Sequence, residues 1–153
     1  MKKLMFALTL LAGPAFAETT VDDWRQNPAA PIAAADINIS DFKWQARPVI
    51  VFADSRFDPA FIQQMEYLAE GERDLIDRDI VWIVDTDTVN TSDLRQKLRP
   101  HGFGMVLIGK DGGVKLRNAL PWDLREISRV IDKMPMRQLE VEERRGNQMD
   151  LSN

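Results

Sequence analysis

Two aspartates in this sequence could act together at one end of a β-sheet. Asp54 follows the apolar run Pro48 to Ala53, and Asp85 follows a second apolar run, Ile80 to Val84. We predict that both runs are parallel strands, so the two carboxylates lie at the carboxyl edge, where open α/β sheets usually bind ligands. Two acids there could hold a divalent cation, but Arg56 is close in sequence and favours an ion pair or a solvated loop.

A further carboxylate, Asp87, follows Asp85 after a single residue. The run Asp85-Thr86-Asp87-Thr88-Val89 resembles the first motif of haloacid-dehalogenase-type phosphatases. This resemblance implies that Asp85 attacks phosphorus, that Asp87 serves as acid and base, and that both help to hold magnesium. Such enzymes need later lysine and acidic motifs in a larger domain, whereas only 64 residues follow Val89. We favour turn and cap residues here, and keep a metal-dependent hydrolase or phosphatase as the alternative.

Other nucleophilic and cofactor chemistry has little support in the sequence. The chain has no cysteine, which excludes disulfides, thiolate nucleophiles and Cys-ligated metal sites. His101 is the single histidine, and no recognisable motif supplies the nucleophile and orienting acid of a triad, so we interpret it as a loop or capping residue. The glycine pairs lack the spacing of phosphate-binding loops, and we expect no cofactor.

Composition and charge restrict the class of protein and its partners. With 153 residues, 44% of them hydrophobic and 29% charged, the chain fits one globular domain, which we expect to be monomeric. Twenty Lys and Arg stand against 24 Asp and Glu, for a formal net charge of -4. Because binding to phosphates requires a clustered basic surface, we expect no nucleic-acid partner.

The first 17 residues have the pattern of a cleaved secretory signal. Lys2 and Lys3 precede the apolar stretch 4–12, and Ala15-Phe16-Ala17 forms a small-x-small cleavage site before Glu18. The apolar stretch is shorter than the roughly 20 residues that span a bilayer, so we expect no membrane insertion after cleavage. We predict a periplasmic or secreted bacterial protein.

The rest of the chain predicts a single α/β domain between polar ends. We expect a flexible leader over residues 18–36, the domain over 37–136 and a polar tail over 137–153, either a solvated helix or disordered. Asp58-Pro59 begins an amphipathic helix that lies between the two apolar strands and ends near Gly71. The two strands and this helix make a right-handed βαβ unit.

Three further patterns complete the predicted domain. A short helix begins at a cap among residues 90–92 and stops before Pro100. A third strand, 105–108, and an alternating strand, 114–117, flank a glycine-rich turn and predict a hairpin. An amphipathic helix with a capping box at Asp123 then extends to Pro135.

The predicted order β-α-β-α-β-β-α, a central mixed sheet with helices on both faces, is that of a thioredoxin-like core. The segments 107–117 and 131–137 resemble the hallmark segments of the domain-of-unknown-function DUF4174 family, and 47–52 with 77–79 fits its first half. The resemblance covers about residues 37–143. It implies a fold similar to those of thioredoxin and peroxiredoxin in exported bacterial proteins, with no assigned activity.

The thioredoxin-like order also locates where redox chemistry would occur. Redox relatives place their cysteine pair just after the first long strand, at the start of the following helix. Here that loop reads Asp54-Ser55-Arg56-Phe57-Asp58-Pro59, and Gly104 stands where such folds place a cis-proline. Thiol exchange, peroxide reduction and isomerase activity are therefore excluded, while the question of another enzymatic activity stays open.

We predict a non-redox, thioredoxin-like binding or accessory module for a protein, a peptide or a small ligand. Phe57 and Trp122, both in predicted loops, are the aromatic residues that we expect to contact a partner. We assign no catalytic residue and no metal ligand. The predicted ligand or partner face gathers the residues near one sheet edge: Asp54, Arg56, Phe57, Asp85, Asp87, His101 and Gly104.

Overall fold

The computed structural model describes residues 18–151, and the predicted signal segment, residues 1–17, lies outside them. No helix within the described residues is long and apolar enough to cross a membrane. Two 3-10 turns, Ala34–Asp36 and Ile39–Phe42, lead into the central sheet. In chain order the helices and strands are α1 (Val21–Gln26), β1 (Ile32–Ala33), β2 (Arg47–Phe52), α2 (Pro59–Ala69), α3 (Glu72–Asp77), β3 (Ile80–Asp85), α4 (Asp93–Leu98), β4 (Gly104–Ile108), β5 (Val114–Asn118), α5 (Leu124–Asp132) and α6 (Pro135–Leu151).

The five strands form one mixed sheet in the order β1-β3-β2-β4-β5. Strands β1, β3 and β2 are parallel, whereas β4 runs antiparallel to β2 and pairs with β5 in the predicted hairpin. Phe52 pairs with Asp85 on one side and with Gly104 on the other, so the ends of β2 and β3 meet the start of β4. The predicted α/β, thioredoxin-like fold class is confirmed. The carboxyl edge of the sheet brings together the three stretches of the predicted face, namely the loop after Phe52, the segment from Asp85 and the start of β4 at Gly104.

The two faces of the sheet pack against separate apolar clusters. In β2, Val49 and Val51 face the cluster that holds α2, α3 and α5, while Ile50 and Phe52 face the cluster that holds α1 and α4. Because side chains alternate along a strand, burial of both faces produces the unbroken apolar runs that predicted β2 and β3. Helices cover both faces of the sheet, as the sequence predicts.

The segment before the sheet is packed, which differs from the flexible leader that its composition predicts for residues 18–36. Thr20 caps α1, and Trp24 is only 5% exposed with its ring edge against Phe42, at 6.0 Å between ring centroids. Ile32 is buried in β1, which adds an edge strand beside β3. The sequence did not predict these elements, because a helix of six residues and a strand of two are too short to show a periodic pattern. The small and turn-forming residues around them indicated a loop instead.

The C-terminal segment is a helix, one of the two states that the sequence leaves open for the polar tail. Helix α6 begins at Pro135, and most of its later residues are exposed. Its first turns are anchored, because Arg137 is buried against the rest of the domain. The preceding helix, α5, ends at Asp132 before the proline, where its amphipathic pattern stops.

Candidate functional site

The loop after β2 carries the exposed part of the candidate site. Asp58 ends this loop and caps α2, because its Oδ1 accepts hydrogen bonds from the backbone N–H groups of Ala60 at 2.8 Å and Phe61 at 3.4 Å. Pro59 follows in the first helical turn, where its fixed φ suits the helix and its missing N–H costs nothing. The cap and the proline thus hold the start of α2 where redox relatives place a cysteine.

Asp85 at the end of β3 is a buried and fully engaged carboxylate. Its residue is 4% exposed, its Oδ2 accepts a hydrogen bond from the Ser92 hydroxyl at 2.5 Å, and its Oδ1 accepts one from Nε of Arg95 at 3.0 Å. A buried carboxylate needs such partners, because an unpaired charge is strongly disfavoured away from water. Each oxygen of Asp85 thus accepts a hydrogen bond from α4 or its cap, which makes this carboxylate part of a buried ion pair.

Arg95 joins the ends of the two central strands. Its Nη2 donates to the backbone oxygens of Ala53 at 2.8 Å and Asp85 at 2.9 Å, and its guanidinium lies 5.5 Å from the ring centroid of Phe52. Its Nη1 is also 3.7 Å from Oδ1 of Asp54. Arg95 is not among the residues that the sequence patterns indicate. The available signal was its position three residues after the Ser92 cap, in the helix that follows the strand ending at Asp85.

Arg56 and Phe57 form the most exposed pair at this edge. The Arg56 guanidinium lies 4.9 Å from the centroid of the Phe57 ring, and Phe57 is 72% exposed. The sequence left either an ion pair between Asp54 and Arg56 or a solvated loop open. In the described residues Asp54 is 65% exposed and 3.7 Å from Arg95, while Arg56 stacks on Phe57, so the solvated loop is the state observed.

Asp87 is exposed and closes a turn. Its Oδ1 accepts hydrogen bonds from the backbone N–H groups of Val89 at 2.9 Å and Asn90 at 2.8 Å, and its Oδ2 accepts one from the Asn90 side chain. The hydrogen bonds from Asn90, followed by that from Val89, lower the pKa of the Asp87 carboxyl below its usual value. These contacts fit the turn-and-cap interpretation of Asp87 that the sequence favours.

The remaining predicted site residues are His101, in the loop before β4, and Gly104, at the start of that strand. His101 is exposed, and Gly102, beside it, adopts a positive φ of 62° that favours glycine. A Cβ at Gly102 would lie 4.0 Å from the Asp54 carboxylate, so the two loops are neighbours. Gly104 is the first residue of β4 rather than the residue before it.

Trp122 is less available than its loop position predicts. It is half-buried and packs against the cluster that includes α2 and α5. The fully buried Gln64 fixes its backbone, since the Gln64 amide donates to the Trp122 carbonyl at 2.8 Å and accepts from its N–H at 2.9 Å. Among the two aromatic contact candidates, Phe57 is therefore the exposed one.

The acids of the edge do not assemble into a metal site. Within residues 18–151, no three side chains of the His, Asp and Glu type come together in a way that could hold a metal ion. Asp85 bonds to Ser92 and Arg95, Asp87 to its own turn, and Asp54 is 65% exposed. A hydrolase mechanism needs these carboxylates to converge on one reacting group, and here each bonds to different atoms.

A second charged cluster lies at the opposite, amino-terminal edge of the sheet. Arg47, at the start of β2, is 1% exposed and forms a two-pronged ion pair with Glu140 of α6 at 2.9 and 3.2 Å. Lys110 bonds to the same Glu140 at 2.8 Å and to Asp79 at 2.8 Å. Burial raises the pKa of Glu140, but hydrogen bonds and charges from Arg47 and Lys110 lower it by more, so it lies below its usual value.

The cluster continues along the ends of α3 and α5. Arg78 donates to both oxygens of Asp132, at 3.0 and 2.9 Å, and Arg137 donates to the Asp77 carbonyl at 2.8 Å. Arg144, two turns further along α6, bonds to the same Asp77 at 2.7 Å. Burial raises the pKa of Asp132, while Arg78 and Arg137 lower it to below its usual value.

This amino-edge cluster brings together residues from segments that are far apart in the sequence. Most of its members come from the segments that carry the family resemblance, among them Arg47, Asp77-Arg78-Asp79, Lys110, Asp132 and Arg137. Their ion pairs attach α6 to the start of the sheet. Bidentate arginine pairs fix geometry as well as charge, so the cluster is placed to hold the fold together.

Most residues of the amino-edge cluster also lie within the range that a protein-family model matches. The model of the family described as a domain of unknown function, DUF4174, matches residues 38–140. The matched range includes both ends of the central strands β2 and β3, and its last residue is Glu140, the partner of Arg47. Helix α1 and strand β1 precede it.

Proposed function

This chain belongs to the DUF4174 family, and we propose that it is a binding or accessory module without thiol chemistry that engages an apolar segment of a protein or peptide. The proposed contact surface is the carboxyl edge around Asp54, Arg56 and Phe57. The absence of cysteine from the sequence excludes the chemistry that thiol-dependent relatives of the fold perform at this edge.

The observation that supports this proposal most directly is the exposure of Phe57 on a well-ordered loop. The Phe57 N–H bonds to the Ser55 hydroxyl at 3.1 Å, and the Asp58 N–H bonds to the Ser55 carbonyl at 3.1 Å. The stacked Arg56 restricts the ring further. Aromatic and arginine side chains are enriched at protein interfaces, and a rigid anchor loses little conformational entropy on binding.

The surroundings of Phe57 offer further contacts of the kind a peptide needs. Leu120, 68% exposed, follows β5, whose last residue, Asn118, pairs with Met105 near the start of β4. Leu120 therefore stands at the same edge as Phe57. The Asp54 carboxylate is exposed at the same edge and can accept a hydrogen bond from a partner's backbone.

We also propose that this module acts in the periplasm or outside the cell. Support comes from residues 1–17, whose basic start, apolar stretch and cleavage site are those of a secretory signal. The geometry does not favour the alternative, a metal-dependent hydrolase or phosphatase that uses Asp85 and Asp87, because Asp85 is buried against Ser92 and Arg95 while Asp87 bonds within its own turn.

Site-specific photocrosslinking in living cells tests the proposal. A photoreactive phenylalanine analogue is placed at position 57 and, as a matched control, at Leu139, which is 58% exposed on α6. We expect a discrete crosslinked partner at position 57 and none at 139. An Asp54→Ala and Arg56→Ala double variant should weaken that crosslink at unchanged stability. Equal crosslinking from the two positions, or none from position 57, would overturn the proposal.

A further inference from the structure

A cavity on the opposite side of the domain from α2 carries a separate inference. We infer that it binds a small molecule with an apolar body and a single carboxylate. The cavity has a volume of about 270 Å³ and lies between α4, the turn before β2 and the β4–β5 hairpin. It includes none of the carboxyl-edge residues, so the inference does not depend on the proposed function.

The interior of the cavity is apolar. Leu94 and Leu98 of α4 line one wall, and Phe42 and Ala46 line the wall that precedes β2. Ile108, at the end of β4, lies on the sheet side. All five side chains are at most 7% exposed, so an apolar guest would extend the buried cluster that they already form. The volume is just below the roughly 300 Å³ at which drug-sized sites begin, which suits a small guest.

Short covering elements explain why this face of the sheet has room. Helix α4 has six residues and ends at Leu98, and its C-cap residue, Arg99, adopts a left-handed φ of 48° before Pro100. The opposite face is covered by α2 and α5, of 11 and nine residues. A helix of six residues spans only about 9 Å, and the cavity lies between this short helix and Ile108.

The charges at the cavity select the sign of the guest. Lys43 and Lys97 both line it and are exposed, and neither forms an ion pair with another residue in the described part of the chain. The one acid in the lining, Asp111, is occupied by Lys115 at 2.7 Å and by the Gly113 N–H at 3.0 Å. Two unpaired ammonium groups beside an apolar cavity complement a carboxylate that is attached to an apolar body.

The position of Lys43 shows how its charge would meet the guest. Its aliphatic part runs past Gly112, where a Cβ would lie 3.8 Å away, and its Nζ lies 5.5 Å from the centroid of the Trp44 ring. Trp44 is 57% exposed. When the ammonium moves from the ring to a bound carboxylate, the environment of Trp44 changes, which provides an optical signal.

Three probes of equal length and different charge test this inference: octanoate, 1-octanol and octylammonium. We expect the folded chain to bind octanoate most tightly, as measured by calorimetry, with octylammonium the weakest. Methyl resonances of Leu94, Leu98 and Ile108 should shift on titration. Those of Leu68 and Ile127, buried on the other face of the sheet, should not shift.

Charge variants separate this site from general surface adsorption. Lys97→Gln should weaken octanoate binding by up to about fivefold, the upper end of the range for one exposed charge pair, and leave octanol unaffected. Adding Lys43→Gln should weaken it further and remove the Trp44 signal. The matched control is Lys133→Gln, which should have no effect. Lys133 is exposed, follows Asp132 at the end of α5 and does not line the cavity. Equal affinity for octanoate and octylammonium, or shifts confined to other methyl groups, would overturn the inference.

Discussion

The Nε of Arg95 lies 3.0 Å from Oδ1 of Asp85, and both side chains are almost withdrawn from solvent, at 10% and 2% exposed. The same guanidinium reaches the backbone oxygens of Ala53 and Asp85. One side chain from α4 therefore ties together the carboxyl ends of β2 and β3. At the carboxyl edge of the sheet, this chain therefore has a buried ion pair.

Breaking this pair should cost stability. Arg95→Met leaves Asp85 buried and without its cation, so we expect the free energy of unfolding to fall by about 3–5 kcal/mol. Urea denaturation measures the change. Arg56→Met, at the same edge but exposed, is the matched control and should stay within about 0.5 kcal/mol of wild type.

A double variant tells loss of the ion pair from loss of packing. Asp85→Asn combined with Arg95→Met removes both charges, so it should be more stable than the sum of the two single variants predicts. Strict additivity, or equal losses from Arg95→Met and Arg56→Met, would contradict the role assigned to Arg95.

The amino-edge cluster should make stability depend on pH in the acid range. Because the pKa of Glu140 is lowered in the folded chain, the unfolded chain binds more protons once the pH falls towards the ordinary glutamate value of about 4.3. The contribution of Glu140 to stability is thus present above that pH and is lost as the pH falls through its folded pKa. Asp132 acts in the same direction.

Glu140→Gln removes the charge and keeps the shape. We expect it to lower the free energy of unfolding at pH 7 by about 1.5–3 kcal/mol, the range for hydrogen bonds to charged groups. The variant should also lose less stability than wild type between neutral and acid pH. Chemical denaturation across this pH range measures both effects, with the exposed Glu143→Gln as control. A parallel pH profile for Glu140→Gln and wild type would be inconsistent with the role of this pair.

The N-terminal segment should stabilise the domain through Trp24. Truncating this buried ring with Trp24→Ala should lower the free energy of unfolding by about 3–5 kcal/mol, because it leaves a cavity beside Phe42. Phe57→Ala removes an aromatic ring of similar size that is 72% exposed, and should change stability by less than about 0.5 kcal/mol. Thermal or chemical unfolding compares the two, and a stable Trp24→Ala variant would indicate that residues 18–36 do not contribute to the fold.

Magnesium should have no specific effect on the domain. A ligand stabilises a protein only to the extent that it binds the folded state, and the carboxylates of Asp85 and Asp87 are directed to different partners. We expect the melting temperature in millimolar magnesium chloride to equal that in sodium chloride of the same ionic strength. A rise that disappears in Asp87→Asn would instead favour the hydrolase alternative.

If residues 1–17 are the secretory signal that their pattern predicts, the protein is processed on export. Expressed with its full sequence in a bacterium, the chain should be recovered from the periplasmic fraction with Glu18 as its first residue, as determined by intact mass. Ala17→Arg places a large charged residue at the cleavage site and should accumulate as precursor. Recovery of an unprocessed wild-type chain from the cytoplasm would contradict the predicted export.

Strands and helices were predictable where burial or capping leaves a local pattern. Strands β2 and β3 are buried on both faces, so their sequences are unbroken runs of apolar residues. Helices α2 and α5 begin at Asp58 and Asp123, whose side chains accept backbone N–H groups within three residues. Both signals depend only on neighbours in the chain, and they were enough to predict the order of the central elements and the fold class, but not α1, β1 or α3.

The sequence by itself therefore determined the fold class, the absence of thiol chemistry and the exposure of Phe57. Only the tertiary structure decided which charges pair, that Trp24 is buried, and that a cavity opens beside α4. Arg47 and Glu140 are 93 positions apart, and Arg95 lies ten positions beyond Asp85 on another element. Such pairings follow from distances between packed elements, which the local spacing of residues does not encode.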